Sequence, residues 1–163
     1  MVHVAIQQGV YITTVYMTVF FAKMIGQSVT RSKLHAAYRN RGERVSLNGT
    51  DSHQHTQEFQ RYYNVTDKDM LAADRIFGNM LEQSIPFLTL FWINIGLAAI
   101  DATNYIGVVA AGWVYVIFRA LYPVAWLAGG GGRTGPRYLI LTVTPVMYLV
   151  VIYLTANMIY AVI

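Results

Sequence analysis

The chain has 163 residues, of which 55% are hydrophobic and only 12% are charged. Because about one quarter of the residues of a soluble domain are charged, this composition argues against a water-soluble globular protein. The chain contains no cysteine, so disulfide bonds are excluded, and its net charge of +4 matters less than where the basic residues lie.

Four long apolar stretches, taken in chain order, predict membrane helices. They run from about residue 4 to 25, 76 to 100, 105 to 127 and 138 to 163. Each has about 20 residues or more, enough to cross roughly 30 Å of hydrocarbon at 1.5 Å per residue. Lipid offers no hydrogen-bond partners to the backbone, and none of the stretches alternates like a barrel strand, so helices are expected. We predict one all-α membrane domain over residues 1–163, a four-transmembrane-helix bundle.

A polar segment, about residues 27 to 74, separates the first two apolar stretches. Its centre, from Leu47 to Gln57, is typical of an exposed loop, and its flanks are expected to extend the membrane helices into water. His53 and His55 lie two residues apart in this loop, but no third ligand follows at zinc spacing. We therefore predict no metal site.

The basic residues give the predicted spans an orientation. All twelve Lys and Arg residues lie between Lys23 and Arg137. With four spans, the loops after the first and the third span lie on the same side, and both are basic. The positive-inside rule places that side toward the cytoplasm, matrix or stroma, with both termini opposite. We expect a multi-pass protein of the endoplasmic reticulum or an organellar membrane, in contact with membrane lipid and with no nucleic-acid partner.

The second apolar stretch carries polar side chains on one helix face. Arg75, Asn79, Glu82 and Pro86 are separated by four, three and four residues, a spacing that aligns them along a helix. An ionisable side chain at membrane depth is unfavourable unless it is paired or hydrated, so we expect Glu82 to face other helices and meet a cation. Pro86 has no N–H to donate to the carbonyl of Glu82, which leaves that carbonyl free for another donor.

The third apolar stretch carries a second set. Arg119, Tyr122 and Trp126 follow the i, i+3, i+7 spacing and share a face. Four consecutive glycines follow, and then Arg133 and Arg137, which together suit an anion although no strand–loop–helix frame surrounds them. Each polar set also has a structural interpretation, as packing between helices, interfacial anchors or an aromatic belt.

The two polar patterns resemble those of the MAPEG family, membrane-associated proteins in eicosanoid and glutathione metabolism. The four residues of the second stretch match the family's second-span pattern at every step. Arg119 and Tyr122 match the third-span pattern, whereas Trp126 stands where the family usually has tyrosine. The resemblance covers roughly Asp74 to the carboxyl end, and the segment 27–63 is longer than the family's usual first loop.

The resemblance implies a homotrimer of four-helix bundles that binds glutathione between protomers and takes a lipophilic electrophile from the bilayer. By resemblance, the residues that bind glutathione are Arg75, Asn79, Glu82, Arg119, Tyr122 and Trp126. Either Arg133 or Arg137 is the expected catalytic residue, because a nearby cation lowers the pKa of a thiol from its usual value of about 8.5 and makes the sulfur nucleophilic.

Two functions compete at this stage. The first is a glutathione-dependent transferase or peroxidase acting on lipophilic electrophiles. The alternative is a non-catalytic, MAPEG-like accessory subunit of a larger organellar membrane complex, suggested by the long polar segment and by the glycine run, which changes the spacing to the next arginines.

Overall fold

The computed structural model describes residues 2–40, 68–100, 103–128 and 138–163. These residues form four helices: α1, Val2–Asn40; α2, Lys68–Ala99; α3, Tyr105–Ala128; and α4, Tyr138–Val162. The described ranges contain no strand, and the predicted all-α four-helix bundle is confirmed. His53 and His55 lie outside the described residues.

Side-chain contacts show how the helices run relative to one another. Tyr16 of α1 meets Ser84 of α2, and Gln27, further along α1, meets Asp74, which comes earlier in α2. These two helices are therefore antiparallel. Among the described residues, α2 and α3 each contact the other three helices, whereas α1 and α4 contact only those two. Helices α2 and α3 therefore lie at the centre of the bundle, and the closest pairs are α1 with α2 and α3 with α4.

Helices α1 and α2 extend beyond the apolar stretches that predicted them. As expected for the flanks of the polar segment, about residues 27 to 74, α1 continues to Asn40 and α2 begins at Lys68. In this extension the Thr30 hydroxyl donates to the carbonyl of Gly26 at 3.0 Å. Hydropathy indicates where lipid is expected, whereas the backbone hydrogen bonds of a helix also form in water. The helices therefore extend beyond the apolar stretches.

Three helices are long and apolar enough to cross a membrane: His3–Leu34 within α1, Tyr105–Ala128 and Leu139–Ala161. Helix α2 is not among them, since Glu82 and other polar residues interrupt its apolar sequence. A membrane crossing by α2 stays a prediction, although this helix has 32 residues and contacts all its neighbours.

Aromatic rings fill the core between α1, α2 and α3. The rings of Phe87 and Tyr115 stack with centroids 3.7 Å apart and planes within 7°, and Tyr16 lies 5.5 Å from Phe87. Gly112 makes this contact between α2 and α3 close: a Cβ at that position would lie 2.6 Å from the Phe91 ring. The core therefore depends on a glycine facing an aromatic side chain.

A polar pair joins α2 to α4 at the end of the bundle opposite Lys23. Asn94 is fully buried, and its Nδ2 donates to the carbonyls of Leu90 and Leu154, both at 2.9 Å. Its Oδ1 accepts a hydrogen bond of 2.8 Å from Asn157 Nδ2. Both amide hydrogens are used, so this asparagine stabilises the helix pair and leaves no donor for a ligand.

Candidate ligand-binding site

A cavity of about 140 Å³ lies between α2 and α3, at the end of the bundle where α2 begins and α3 finishes. We call it the α2–α3 cavity. Five of the six residues predicted to bind glutathione line it: Arg75, Asn79, Glu82, Tyr122 and Trp126. The sixth, Arg119, lies behind Asn79, away from the lining.

Arg119 is almost fully buried, with 1% of its surface exposed, and it donates two hydrogen bonds to Asn79. Its Nη1 donates to Asn79 Oδ1 at 2.7 Å, and its Nη2 donates to the backbone carbonyl of Asn79. Met147 Sδ of α4 lies 3.8 Å from the same Nη1. A guanidinium has only donors, so the oxygen of the Asn79 amide must face it. The Nδ2 hydrogens of Asn79 are therefore the part of this side chain left for a ligand.

The aromatic residues of α3 form the other wall. The guanidinium carbon of Arg119 lies 5.5 Å from the centroid of the Tyr122 ring, within the range of a cation–π contact. The Tyr122 and Trp126 rings are 6.3 Å apart. The Nε1 atom of Trp126 is buried and has no hydrogen-bond partner among the described residues. Trp126 therefore carries an N–H donor that no described residue uses, at the position where the family usually has tyrosine.

Arg75 and Glu82 bring opposite charges to the α2–α3 cavity from two turns of α2. Both are exposed in the single chain, and neither forms an ion pair within the part of the chain that the structure describes. The cation that we expected to meet Glu82 across a helix contact is therefore not found there. The neighbouring Leu81 and Ile85 are 49% and 73% exposed, so none of the described residues covers this face of α2.

Asp74 was missed as a site residue by the sequence analysis. It is 5% exposed and lines the α2–α3 cavity beside Arg75. Gln27 Nε2 of α1 donates to Asp74 Oδ1 at 2.6 Å, and Arg31 Nη2 lies 3.8 Å from the same oxygen. A signal was present, because Gln27 and Arg31 are four residues apart on one face of α1 and can both pair with an acid on a neighbouring helix.

Helix α2 passes through Pro86 without a break. The hydroxyl of Tyr115 donates to the carbonyl of Gln83 at 3.3 Å, one residue after the carbonyl of Glu82 that Pro86 leaves without its usual donor. A residue of α3 therefore holds the α2 backbone in the turn that carries Glu82.

Arg133 and Arg137 lie outside the described residues, so their predicted role stays a prediction. Within the described residues, no group of three His, Cys, Asp or Glu side chains is arranged to hold a metal ion.

Comparison with known proteins identifies one family. The model of the MAPEG family matches residues 10–157, nearly the whole chain, including α1, which the site patterns alone did not reach. Comparisons with curated proteins and with solved structures give no match. With its apolar helices and this match, the chain is an integral membrane protein that belongs to the MAPEG family.

Proposed function

We propose that the chain binds glutathione at the α2–α3 cavity and uses it as a transferase or peroxidase toward lipophilic electrophiles. The observation that carries the proposal is the set of complementary groups around one cavity: the Arg75 cation, the Glu82 anion and the free donors of Asn79 and Trp126. Glutathione carries two carboxylates, one ammonium group and amide carbonyls. Each of these groups has a counterpart in the set.

The charged residues suit the two ends of the tripeptide. The planar guanidinium of Arg75 can donate two parallel hydrogen bonds to a carboxylate. The carboxylate of Glu82 can accept hydrogen bonds from the ammonium group. Both side chains lie on α2 seven residues apart, about 10 Å along the axis, a separation that an extended tripeptide spans.

Asn79 and Arg119 take different roles from those that the resemblance implied. Because Arg119 holds the oxygen of the Asn79 side chain, Asn79 binds the ligand as a donor, through Nδ2, to a carbonyl or carboxylate oxygen. Arg119 acts through Asn79 and is a positioning residue. Trp126 Nε1 supplies a second donor in place of the hydroxyl of a tyrosine.

One chain supplies only part of a glutathione site. Ligand pockets commonly enclose about 300–1,000 Å³, whereas the α2–α3 cavity measures about 140 Å³. The exposed carboxylate of Glu82 needs a cover if this part of α2 lies at membrane depth, because an ionisable group facing lipid is unfavourable. A homotrimer, as the family resemblance implies, supplies that cover and the remaining wall from a neighbouring copy.

Glutathione, when bound, supplies a thiolate that displaces a leaving group from a lipophilic electrophile. With a second glutathione it instead reduces a hydroperoxide to an alcohol and water, and the two thiols are oxidised to glutathione disulfide. The protein's part is to hold the tripeptide by its charged ends and to stabilise the thiolate with a cation. We assign that cation to Arg133 or Arg137, as the resemblance implies.

Glutathione titrated into the detergent-solubilised protein in a calorimeter tests the proposal. We expect binding that Arg75→Gln and Glu82→Gln each weaken at least tenfold. Lys33→Gln is the matched control, since it also removes a charge but lies outside the α2–α3 cavity. Equal loss in all three variants, or no binding by the parent protein, refutes the site.

Turnover separates the enzyme from the accessory subunit. The same preparation is assayed for conjugation of a panel of aryl halides and for reduction of a lipid hydroperoxide. Glutathione binding without turnover, together with migration in a much larger assembly on native gels, would instead support the accessory subunit.

A further inference from the structure

A second and larger cavity, of about 490 Å³, lies between α1, α2 and α3. We call it the α1 groove. Its volume falls within the range of about 300–1,000 Å³ that is common for ligand pockets. It shares no lining residue with the α2–α3 cavity: Pro123 and Leu127 line the groove, while the residues directly before them on α3, Tyr122 and Trp126, line the α2–α3 cavity. The proposed glutathione site therefore does not account for it.

The groove is basic and polar along α1 and apolar opposite. Lys23, Gln27, Thr30 and Lys33 line it at spacings of four, three and three residues, which places them on one helix face. The walls from α2 and α3 consist of alanine, Ile76, proline and leucine side chains. A cationic edge beside an apolar wall matches an anionic amphiphile.

The position of the groove along α1 indicates which anionic amphiphile it suits. The apolar run from residue 4 to 25 is about 33 Å long, close to the thickness of a hydrocarbon core. Lys23 therefore lies where that core ends, and Lys33 lies about 15 Å further along the axis, in the headgroup region or beyond it. Phospholipid phosphates occupy this depth of a bilayer.

The charges of the groove are available to such a ligand. Neither Lys23 nor Lys33 forms an ion pair within the described part of the chain. Asp74 is a buried acid that follows directly after Ala73 of the α2 wall. It already accepts a hydrogen bond from Gln27 and lies 3.8 Å from Arg31. We propose that the α1 groove binds an anionic phospholipid, with its headgroup along the face of α1 that carries the two lysines and an acyl chain along the wall of Ile76 and Leu127.

Native mass spectrometry of the full-length protein tests this proposal, with phosphatidylglycerol and phosphatidylcholine of identical acyl chains added in equal amounts. One basic side chain near an anionic lipid surface strengthens binding about fivefold, so two predict a preference for phosphatidylglycerol of about 25-fold. The double variant Lys23→Gln/Lys33→Gln is expected to lose most of this preference, and Lys23→Arg/Lys33→Arg to keep it.

A glycine pair separates binding in the groove from adsorption to the protein surface. Gly26 lines the groove and an added Cβ meets nothing within 4 Å, so Gly26→Leu places a side chain in the lipid's space. Gly96 has equal space but lies in neither cavity, so Gly96→Leu is the matched control. We expect only Gly26→Leu to lower the bound phosphatidylglycerol, by at least fivefold.

Three results would overturn the proposal. They are equal binding of the two lipids, equal loss in the two leucine variants, and full displacement of the lipid by inorganic phosphate at matched concentration. The last would assign the lysines to a free anion, because a lipid held also by its acyl chain resists displacement by phosphate alone.

Discussion

Changing Asn79 to aspartate separates the fold from ligand binding. The change keeps an oxygen facing Arg119, where Oδ1 now accepts a hydrogen bond of 2.7 Å, and replaces the Nδ2 donor with a second acceptor. An ion pair takes the place of a hydrogen bond to a neutral amide. Because the desolvation of a buried carboxylate largely offsets its attraction to a partner, we expect the free energy of unfolding to change by less than about 1 kcal/mol.

Glutathione binding should respond much more strongly. A hydrogen bond between a neutral donor and an anionic acceptor contributes about 1.5–3 kcal/mol, so losing the Nδ2 donor weakens binding about 10- to 150-fold. Repulsion between the new carboxylate and a carboxylate of glutathione adds to this loss. Calorimetry of glutathione binding and denaturant titration followed by circular dichroism measure the two quantities on one preparation.

The same substitution at Asn94, on the same helix, should instead destabilise the fold. Asn94 uses both Nδ2 hydrogens on the carbonyls of Leu90 and Leu154, so Asn94→Asp removes two donated bonds and turns a buried anion toward two carbonyl oxygens. We expect a loss of at least about 2 kcal/mol of unfolding free energy. The reasoning is wrong if Asn79→Asp binds glutathione as tightly as the parent protein, or if it destabilises the fold as much as Asn94→Asp.

Two further predictions concern packing. Gly112→Ala places a Cβ 2.6 Å from the Phe91 ring and is expected to destabilise the bundle by about 1–3 kcal/mol. Gly96→Ala, where a Cβ meets nothing within 4 Å, should be neutral or stabilise the bundle by up to about 1 kcal/mol. Unfolding in detergent compares the two variants, and equal effects would contradict the close contact. A double-mutant cycle with Asn94→Ala and Asn157→Ala should give a coupling of about 0.6–1.7 kcal/mol through their 2.8 Å hydrogen bond, and additive effects would mean that the pair does not stabilise the α2–α4 contact.

The sequence sufficed for the helices but not for all their ends. Apolar runs of about 20 residues predicted four helices, because no other structure satisfies the backbone in lipid. The ends at residues 40 and 68 lie in polar sequence. Hydropathy does not report helix ends in such sequence. Contacts that join the two helices there, such as the hydrogen bond between Gln27 and Asp74, link residues 47 positions apart and leave no local pattern.

The site was predicted in part because helical spacing is a local rule. The spacing of Arg75, Asn79 and Glu82 placed them on one face of α2, and all three line one cavity. The same rule grouped Arg119 with the aromatic residues of α3, but it could not say that this guanidinium turns to the Asn79 backbone instead of the cavity. Asp74 was missed for a related reason, since its partners lie on a different helix.

The buried cation of Arg119 lies beside the α2–α3 cavity and favours an anionic ligand there. Among the described residues its guanidinium forms no ion pair. Its contacts are with neutral groups, which include the two oxygens of Asn79, the sulfur of Met147 and the face of the Tyr122 ring. A buried charge without an anion is unfavourable, and an anionic ligand in the adjoining cavity reduces that cost. The buried position also shields this attraction from salt. Arg119→Met should therefore weaken glutathione binding by more than the loss of an oriented Asn79 side chain would by itself. The remaining affinity should also depend more steeply on ionic strength, because only the exposed Arg75 would then attract the ligand's carboxylates.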